Sequence, residues 1–150
     1  MQPRIDSSRI NPDAYKAMST LQTYVDATEL EQSLRELVKI RASQINSCAF
    51  CLHMHLRDAR KLGESQERLD LLTAWRDAPL FTPRERAALA WTEAVTLVAD
   101  SHVPDDVYKA ARAEFSEQEL VDLTVAIVSI NGWNRLMVSL RIPPAIARNN

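Results

Sequence analysis

The chain has 150 residues, of which 46% are hydrophobic and 25% are charged, a composition typical of a globular domain rather than of a disordered or fibrous chain. Its two glycines are too few for a Rossmann fingerprint or a phosphate-binding loop, and they disfavour an all-β fold with many tight turns. The net charge of −2 provides no basic excess for phosphates, so nucleic acid is not expected as a partner.

The start of the chain and its hydropathy indicate the compartment. The polar segment MQPRIDSSRINPD lacks the apolar stretch of a signal peptide, and no apolar run reaches the ~18 residues of a membrane span. We therefore expect a cytoplasmic protein with no membrane partner, organised as a single domain over residues 1–150. Residues 1–10 are expected to form an irregular N-terminal arm.

Helix-start signals recur along the chain, because capping residues repeatedly precede apolar repeats of helical spacing. These starts fall at Asn11, Thr28, Ser47, Ser65, Thr82, Pro104 and Ser116. The third of these helices is expected to end at Gly63, and Pro143 and Pro144 follow the last one. No segment alternates apolar and polar residues with period two. The sequence therefore predicts an all-α fold with about seven helices.

The last predicted helix, over residues 117–140, is apolar nearly all round, because Val121 and Val128 lie outside its main stripe. Such a helix is surrounded by protein, either at the centre of the chain or between subunits. Asn131 and Asn134 lie on the stripe, so their amides must find hydrogen bonds.

The only two cysteines form a C-x-x-C motif at the start of the third predicted helix. At ~100° per residue, Cys48, Cys51 and His55 lie within about 60° of one another on the inward face. His53 falls on the charged side of the same helix, which indicates a surface residue. In a reducing compartment this cysteine spacing indicates redox chemistry or metal binding rather than a structural disulfide.

This arrangement favours an ionised thiol. The first turn of a helix presents free N–H groups and the positive end of its dipole. His55 lies four residues after Cys51, within reach as a base. The second cysteine can capture an oxidised first one as a disulfide. The pattern therefore suits attack by a thiolate on the O–O bond of a peroxide.

The cysteine pair has three other interpretations. A zinc site would need further ligands, and His102 lies in a distant loop with no second cysteine pair in the chain. A thioredoxin-like motif requires strands, which the sequence does not predict. Two ordinary buried cysteines would also satisfy the spacing. Redox chemistry on an all-α scaffold is favoured over these.

The segments LRELV (34–38), SQINSCAFC (43–51) and ARKLG (59–63), together with His55, resemble the core of the AhpD-like alkylhydroperoxidases. These belong to the carboxymuconolactone decarboxylase superfamily. The later segments AWR (74–76), FTPRERAAL (81–89) and NGWNR (131–135) are also similar to its small members. The resemblance covers roughly residues 30–140 and implies the AhpD-like helical fold, with the C-x-x-C motif at the N-terminus of a central helix.

The resemblance also implies roles for four residues. Glu36, twelve residues before Cys48, and His55 would relay a proton, often through a water molecule. Cys51 would react with peroxide, and Cys48 would be its resolving partner. Phe50 stands where the best-known members carry a histidine, and this departure leaves the choice of attacking thiol open.

The position of Glu36 receives two interpretations. Helical spacing places it on the flank of the apolar stripe of its helix, which indicates a surface carboxylate. The resemblance instead implies a relay group, which would be buried and have a raised pKa suited to proton transfer near neutral pH.

The function expected from the resemblance is a thiol-dependent alkylhydroperoxide reductase with an antioxidant role. Its substrate would be a peroxide, and an external dithiol, lipoyl or thioredoxin-like, would re-reduce it. No flavin, haem or metal cofactor is expected, and the resemblance implies a homo-oligomer, a trimer or hexamer. The alternatives are a dithiol/disulfide oxidoreductase or redox sensor with little peroxidase turnover, and a non-catalytic oligomeric or zinc-binding module.

Overall fold

The structure, a computed structural model, describes residues 2–146, and within that range it contains nine α-helices, one short 3-10 helix and no strand. The α-helices are α1 (Ser7–Ile10), α2 (Pro12–Asp26), α3 (Gln32–Ile45), α4 (Ala49–Lys61), α5 (Gln66–Leu71), α6 (Pro83–Thr96), α7 (Val98–Ser101), α8 (Asp105–Glu114) and α9 (Glu117–Ser139). The 3-10 helix, Leu72–Ala74, continues α5. The all-α prediction is confirmed, and the extra helices, α1 and α7, are single turns of four residues.

The N-terminal arm is more ordered than the sequence indicates. One helical turn, α1, forms within residues 1–10 because the Asp6 carboxylate accepts the backbone N–H of Arg9 at 3.3 Å. Before α1, the Arg4 backbone N–H donates to the Leu140 carbonyl at 2.9 Å. The expectation of an irregular arm is therefore wrong for its second half, which α1 occupies.

Local capping chemistry sets most helix boundaries where the sequence predicts them. Thr82 with Glu85 and Ser116 with Glu119 form complete capping boxes at the starts of α6 and α9. The Ser65 side chain caps α5. These starts are predictable because a cap depends on neighbours within one turn.

The helix start predicted at Thr28 is wrong. Helix α3 begins at Gln32 without a side-chain cap, and the Thr28 hydroxyl donates instead to the Val25 carbonyl at 2.8 Å. The Glu31 carboxylate accepts from Arg84 Nε at 2.9 Å rather than turning back to the helix start. A distant arginine thus replaces the local partner.

Helix α4 ends where glycine predicts it, but its last apolar residue points outward. Gly63 adopts φ +89°, a left-handed conformation that glycine tolerates after a helix end. Leu62 is the C-cap and is 43% exposed, so the buried face of α4 ends before it.

Helix α3 is the central element of the fold, because α4, α6 and α9 all pack against it. Leu37, Val38 and Ile40 of α3 are fully buried between these neighbours. One apolar cluster joins α3 to α6, α8 and α9, and a second joins it to α4, α5 and α6. A third, smaller cluster contains both cysteines beside α9. The C-x-x-C motif therefore lies against the core and not at the surface.

Helix α9 is buried along one face only. Leu123, Ile127 and Ile130 are at most 2% exposed, whereas Val121 and Val128 are 57% and 53% exposed. Of the two surroundings that the sequence allows, burial at the centre of this chain does not hold for the outer face of the helix. Within residues 2–146, no helix combines the length and the apolar character that crossing a membrane requires.

Candidate functional site

The cysteine pair lies at the first turn of α4. Cys48 is the N-cap, and its sulfur accepts the Cys51 backbone N–H at 3.4 Å. Ser47, just before it, has φ +53°, a left-handed turn that leads the chain from α3 into α4. Both cysteines are free thiols and are at most 2% exposed. The predicted placement of the motif at a helix N-terminus is confirmed.

The two thiols differ in acidity and in access. The neighbouring Cys51 thiol, helped by the backbone N–H groups of Cys51 and Phe50, lowers the pKa of Cys48 to about 7 against the opposing effect of burial. The Cys48 side chain and burial together raise the pKa of Cys51. Cys51 lines the large cavity described below, whereas Cys48 is not among its lining residues. The more acidic thiol is thus the less accessible one.

The His55 ring is buried and faces a carboxylate. His55 lies one turn after Cys51 on α4, and its Nδ1 is 2.8 Å from Oε2 of Glu36 on α3. An ionised carboxylate can only accept, so Nδ1 carries a proton, and in the neutral ring Nε2 is the basic nitrogen. The sequence predicts that His55 lies within reach of Cys51 as a base. Within residues 2–146, however, neither cysteine sulfur is hydrogen-bonded to the His55 ring.

Glu36 is buried, contrary to its helical spacing. Glu36 is 6% exposed. Lys39 Nζ donates to its Oε1 at 3.0 Å, and His55 Nδ1 is hydrogen-bonded to its Oε2. Burial raises the pKa of Glu36, but the hydrogen bond and charge of His55, followed by the charge and hydrogen bond of Lys39, outweigh burial, so the pKa lies below its usual value. The expectation of a raised pKa is therefore wrong, and Glu36 is ionised near neutral pH.

A cavity of about 1220 Å³ brings these groups together between α2, α3, α4 and α9. Its polar wall includes Glu36, Lys39, Cys51 and His55. Most of the surface area of the wall is apolar, and the apolar side chains on α4 and α9 are Phe50, Met54, Ile130, Trp133 and Met137. The cavity can therefore hold an organic molecule much larger than hydrogen peroxide, next to a thiol and an imidazole.

The rim of the cavity is formed by both ends of the described chain. Residues of the segments 3–8 and 142–143 line it. Arg4 ties the two ends together, since its side chain also donates to the Ser139 carbonyl at 2.9 Å. On the inner wall, Trp133 packs on Tyr15 with ring centroids 5.8 Å apart. The arm is thus a wall of the site.

The other two histidines lie elsewhere. His53 is half-buried rather than fully solvated, and neither it nor His102 lines the cavity. His102 adopts φ +50° at the end of α7. Within residues 2–146, no group of three or more His, Cys, Asp or Glu side chains is arranged as metal ligands.

A buried polar network joins α3 and α9 beside the cysteines. Asn46 Nδ2 donates to the side-chain oxygens of both Asn131 and Asn134 at 2.9 Å. Asn134 Nδ2 donates to Ser43 Oγ, and Asn131 Nδ2 donates to Thr96 Oγ1, each at 3.0 Å. The prediction that both amides find partners is confirmed.

Sequence reasoning missed Lys39, the second partner of the buried carboxylate. Lys39 is 5% exposed, and its ammonium lies 3.7 Å from Asp26 in addition to its contact with Glu36. Its position three residues after Glu36 was an available signal, because such residues are neighbours on a helix surface.

Comparisons with known proteins identify relatives along most of the chain. The model of the carboxymuconolactone decarboxylase family matches residues 12–94. The uncharacterized protein YdfG of Bacillus subtilis (strain 168) is 39% identical over 140 residues, which are 93% of this chain and 95% of YdfG. The uncharacterized protein YnjA of Escherichia coli (strain K12) is 31% identical over 114 residues, which are 76% of this chain and 62% of YnjA.

Solved structures share the fold. A crystal structure of an Agrobacterium tumefaciens protein of unknown function, whose name relates it to the antioxidant defence protein AhpD, has a TM-score of 0.95 and 42% identity, and the match covers 97% of this chain and 99% of that one. The apo debrominase Bmp8, at 18% identity and a TM-score of 0.84 over 94% of this chain and 76% of its own, shares the fold alone. The chain is therefore an AhpD-like member of the carboxymuconolactone decarboxylase family.

Proposed function

We propose that the protein is a thiol-dependent hydroperoxide reductase that acts on organic peroxides and is re-reduced by an external dithiol. The observation that carries this proposal is the meeting of Cys51, His55 and Glu36 on one wall of a largely apolar cavity of about 1220 Å³. The hydrogen bond of His55 Nδ1 to Glu36 leaves Nε2 as a base for chemistry inside it.

In the first step the Cys51 sulfur attacks the terminal peroxide oxygen and the O–O bond breaks. His55 Nε2 takes the thiol proton and returns it to the departing alkoxide, so a thiol and a hydroperoxide become a sulfenic acid and an alcohol. Glu36 holds the ring in place and stabilises the imidazolium formed between the two transfers. Since no hydrogen bond joins Cys51 to His55 within residues 2–146, a water molecule or the peroxide itself would bridge them.

In the second step Cys48 attacks the sulfenic sulfur of Cys51, which forms the disulfide and releases water. The lowered pKa of Cys48, about 7, makes its thiolate available for this attack. In the third step a dithiol attacks the accessible sulfur of Cys51 and Cys48 leaves, because the thiol with the lower pKa is the better leaving group. A lipoyl or thioredoxin-like reductant, as the resemblance implies, could supply both electrons.

A homo-oligomer is part of the proposal. Val121 and Val128, exposed on α9, are apolar side chains that a neighbouring copy could cover. The resemblance implies a trimer or hexamer, and light scattering tests this directly.

A second candidate, a dithiol/disulfide oxidoreductase with little peroxidase turnover, is favoured by one observation. The cysteine at the helix N-cap has the lowered pKa, as in helix-start C-x-x-C motifs that exchange disulfides. This candidate needs only thiol exchange, so peroxide would oxidise the pair no faster than it oxidises a free cysteine.

Stopped-flow oxidation of the reduced protein by cumene hydroperoxide separates the two functions. We expect oxidation of the reduced protein at least ~100-fold faster than that of free cysteine at the same pH, the low end of what a positioned acid–base group provides. Cys51→Ser should abolish peroxide consumption, and Cys48→Ser should allow one turnover and then accumulate sulfenic acid.

The opposite pattern in the two serine variants would mean that the cysteine roles are exchanged. A wild-type rate equal to that of free cysteine would exclude the peroxidase and leave the oxidoreductase, whose disulfide would still be reduced by dithiols. Metal analysis of the purified protein tests the zinc-binding alternative.

A further inference from the structure

Lys39 is a buried cation that the proposed proton relay does not use. It lies one turn after Glu36 on α3, lines the cavity and is 5% exposed. Its ammonium contacts Oε1 of Glu36 at 3.0 Å, and His55 contacts the other oxygen, Oε2, at 2.8 Å. One carboxylate thus has two basic partners, one on each oxygen.

A buried carboxylate needs a compensating positive charge, because an isolated ion in the interior is strongly unfavourable. Either Lys39 or a protonated His55 could supply that charge to Glu36. If His55 supplied it, the imidazole would be an imidazolium and could not accept a proton. The 3.0 Å contact with Lys39 makes that unnecessary.

We propose that Lys39 is a positioning residue, which neutralises Glu36 so that His55 stays an uncharged base with Nε2 available to the cavity. This inference rests on the proposed function only for the reaction in which His55 acts as the base. Lys39 touches neither sulfur, and it acts through Glu36.

Other charged groups near the relay do not replace Lys39. Asp26 on α2 lies 3.7 Å from the Lys39 ammonium, but its side chain is 55% exposed and therefore screened by solvent. Arg35 on α3 directs Nη1 to the backbone carbonyls of the α2–α3 connection at 2.9–3.2 Å. Within residues 2–146, no side-chain hydrogen bond or ion pair joins either of them to Glu36 or His55.

The remaining titratable groups of the cavity wall have other partners. Tyr15 shares a hydrogen bond with Ser7 at 2.7 Å, and Asp6 caps α1. Asp58 on α4 pairs with Arg57 and Lys61 at the surface. The α9 side chains at the cavity wall carry no charge, and Cys51 is the remaining titratable group. Within residues 2–146, Lys39 is thus the cation that contacts the relay.

Burial raises the pKa of Glu36, and the hydrogen bond and charge of His55, followed by the charge of Lys39, bring it below its usual value. Lys39 thus supplies a positive charge that does not depend on the protonation of His55. Without Lys39, the Glu36–His55 pair would retain a proton to a higher pH, and His55 would be an imidazolium over more of the neutral range. Removing a charge that lies within hydrogen-bond distance of a titrating pair, as Lys39 does here, typically shifts the pKa of that pair by about one unit or more.

The experiment compares Lys39→Met and Lys39→Arg with a matched control, Lys61→Met. Lys61 also pairs with a carboxylate three residues away, Asp58 at 3.5 Å, but it is 67% exposed. The readouts are the NMR titration of the His55 ring, assigned with His55→Gln, and the pH dependence of oxidation by cumene hydroperoxide.

We expect Lys39→Met to move the His55 titration and the acid limb of the rate profile up by about one pH unit. Lys39→Arg should restore both, and Lys61→Met should move neither. An unchanged His55 titration in folded Lys39→Met would overturn the inference, whether or not the protein reduces peroxides. Peroxidase failure with a shifted titration would overturn the proposed function alone.

A wild-type measurement keeps the inference testable if Lys39→Met does not fold. The ¹⁵N shifts of His55 should report a neutral ring protonated on Nδ1 at pH 8. An imidazolium at that pH would show that His55, rather than Lys39, carries the countercharge of Glu36.

Discussion

Two glutamates, the buried Glu36 of α3 and the partly buried Glu93 of α6, both have a pKa below the usual value. Glu93 of α6 accepts from Arg41 Nε and Trp75 Nε1, each at 2.8 Å, and it also pairs with Arg76. Burial raises its pKa, but these three donors outweigh burial, so the pKa lies below its usual value. Glu36, on the cavity side, has its pKa lowered in the same direction.

The two sites differ in what their partners can do. Arginine and tryptophan do not exchange protons near neutral pH, so Glu93 holds α3, α6 and the 3-10 helix together and does nothing else. Glu36 is bonded to an imidazole that can exchange a proton, and it faces a cavity. A carboxylate with a lowered pKa is therefore not by itself a sign of catalysis. Whether its partner can exchange a proton, and whether the pair faces a cavity, determine whether it can take part in a reaction.

The largest expected difference between the two sites is in the rate of peroxide reduction. Glu36→Gln should slow oxidation of the reduced enzyme by about 100-fold, because the imidazolium formed during proton transfer loses its charged partner. Glu93→Gln, the matched control, should leave the rate within about twofold, as expected for a group outside the site. Stopped-flow kinetics on both variants measures this, and equal losses would remove the distinction.

Stability should show the reverse order. Glu93→Gln should lower the free energy of unfolding by about 2 kcal/mol, the range expected when hydrogen bonds to a charged, mostly buried group are weakened. Glu36→Gln should cost less, because Lys39 keeps Asp26 nearby. Urea unfolding at pH 7 compares them. A larger loss for Glu36→Gln would show that Glu36 is chiefly a structural group.

Acid should affect both sites alike. A carboxyl whose folded pKa is depressed stabilises the protein fully above its unfolded pKa, ~4.3, and that contribution is lost as the pH falls through the folded value. The wild-type protein should therefore lose stability below pH ~4. Each glutamine variant should lose less over that range. Urea midpoints measured between pH 6 and 3 test this, and a variant that matches the wild-type slope would contradict the pKa direction at its site.

The smallest effect concerns the thiols. Alkylation of Cys48 by iodoacetamide should have its midpoint near pH 7, since its pKa is about 7. Cys51→Ala should move that midpoint upward, because the Cys51 thiol is the largest cause of the lowered value. Glu93→Gln should leave it in place. Mass spectrometry of quenched samples measures the modified fraction, and a fixed midpoint in Cys51→Ala would exclude this cause.

Features set by neighbours within one helical turn could be predicted from the sequence. The capping boxes at Thr82 and Ser116, and the common face of Cys48, Cys51 and His55, depend only on short spacing. The roles of these site residues remain predictions until the variants are measured.

Features set by contacts between helices could not be predicted in the same way. The burial of Glu36 contradicts its helical spacing, because α3 is packed by α4, α6 and α9 and so has no single apolar face. The resemblance, not the spacing, pointed to this residue. The helix start predicted at Thr28 does not form. The Thr28 carbonyl instead accepts from the Arg35 side chain at 3.2 Å, in the turn before α3.

The rim built from residues 3–8 has a practical consequence for protein production. Only two residues, Met1 and Gln2, would separate a purification tag fused before Met1 from Pro3, which lines the cavity. Such an extension would lie next to the cavity wall, and we expect it to obstruct large hydroperoxides while sparing small ones. Kinetic constants for comparing substrates of different size should therefore come from protein whose N-terminal fusion has been cleaved off.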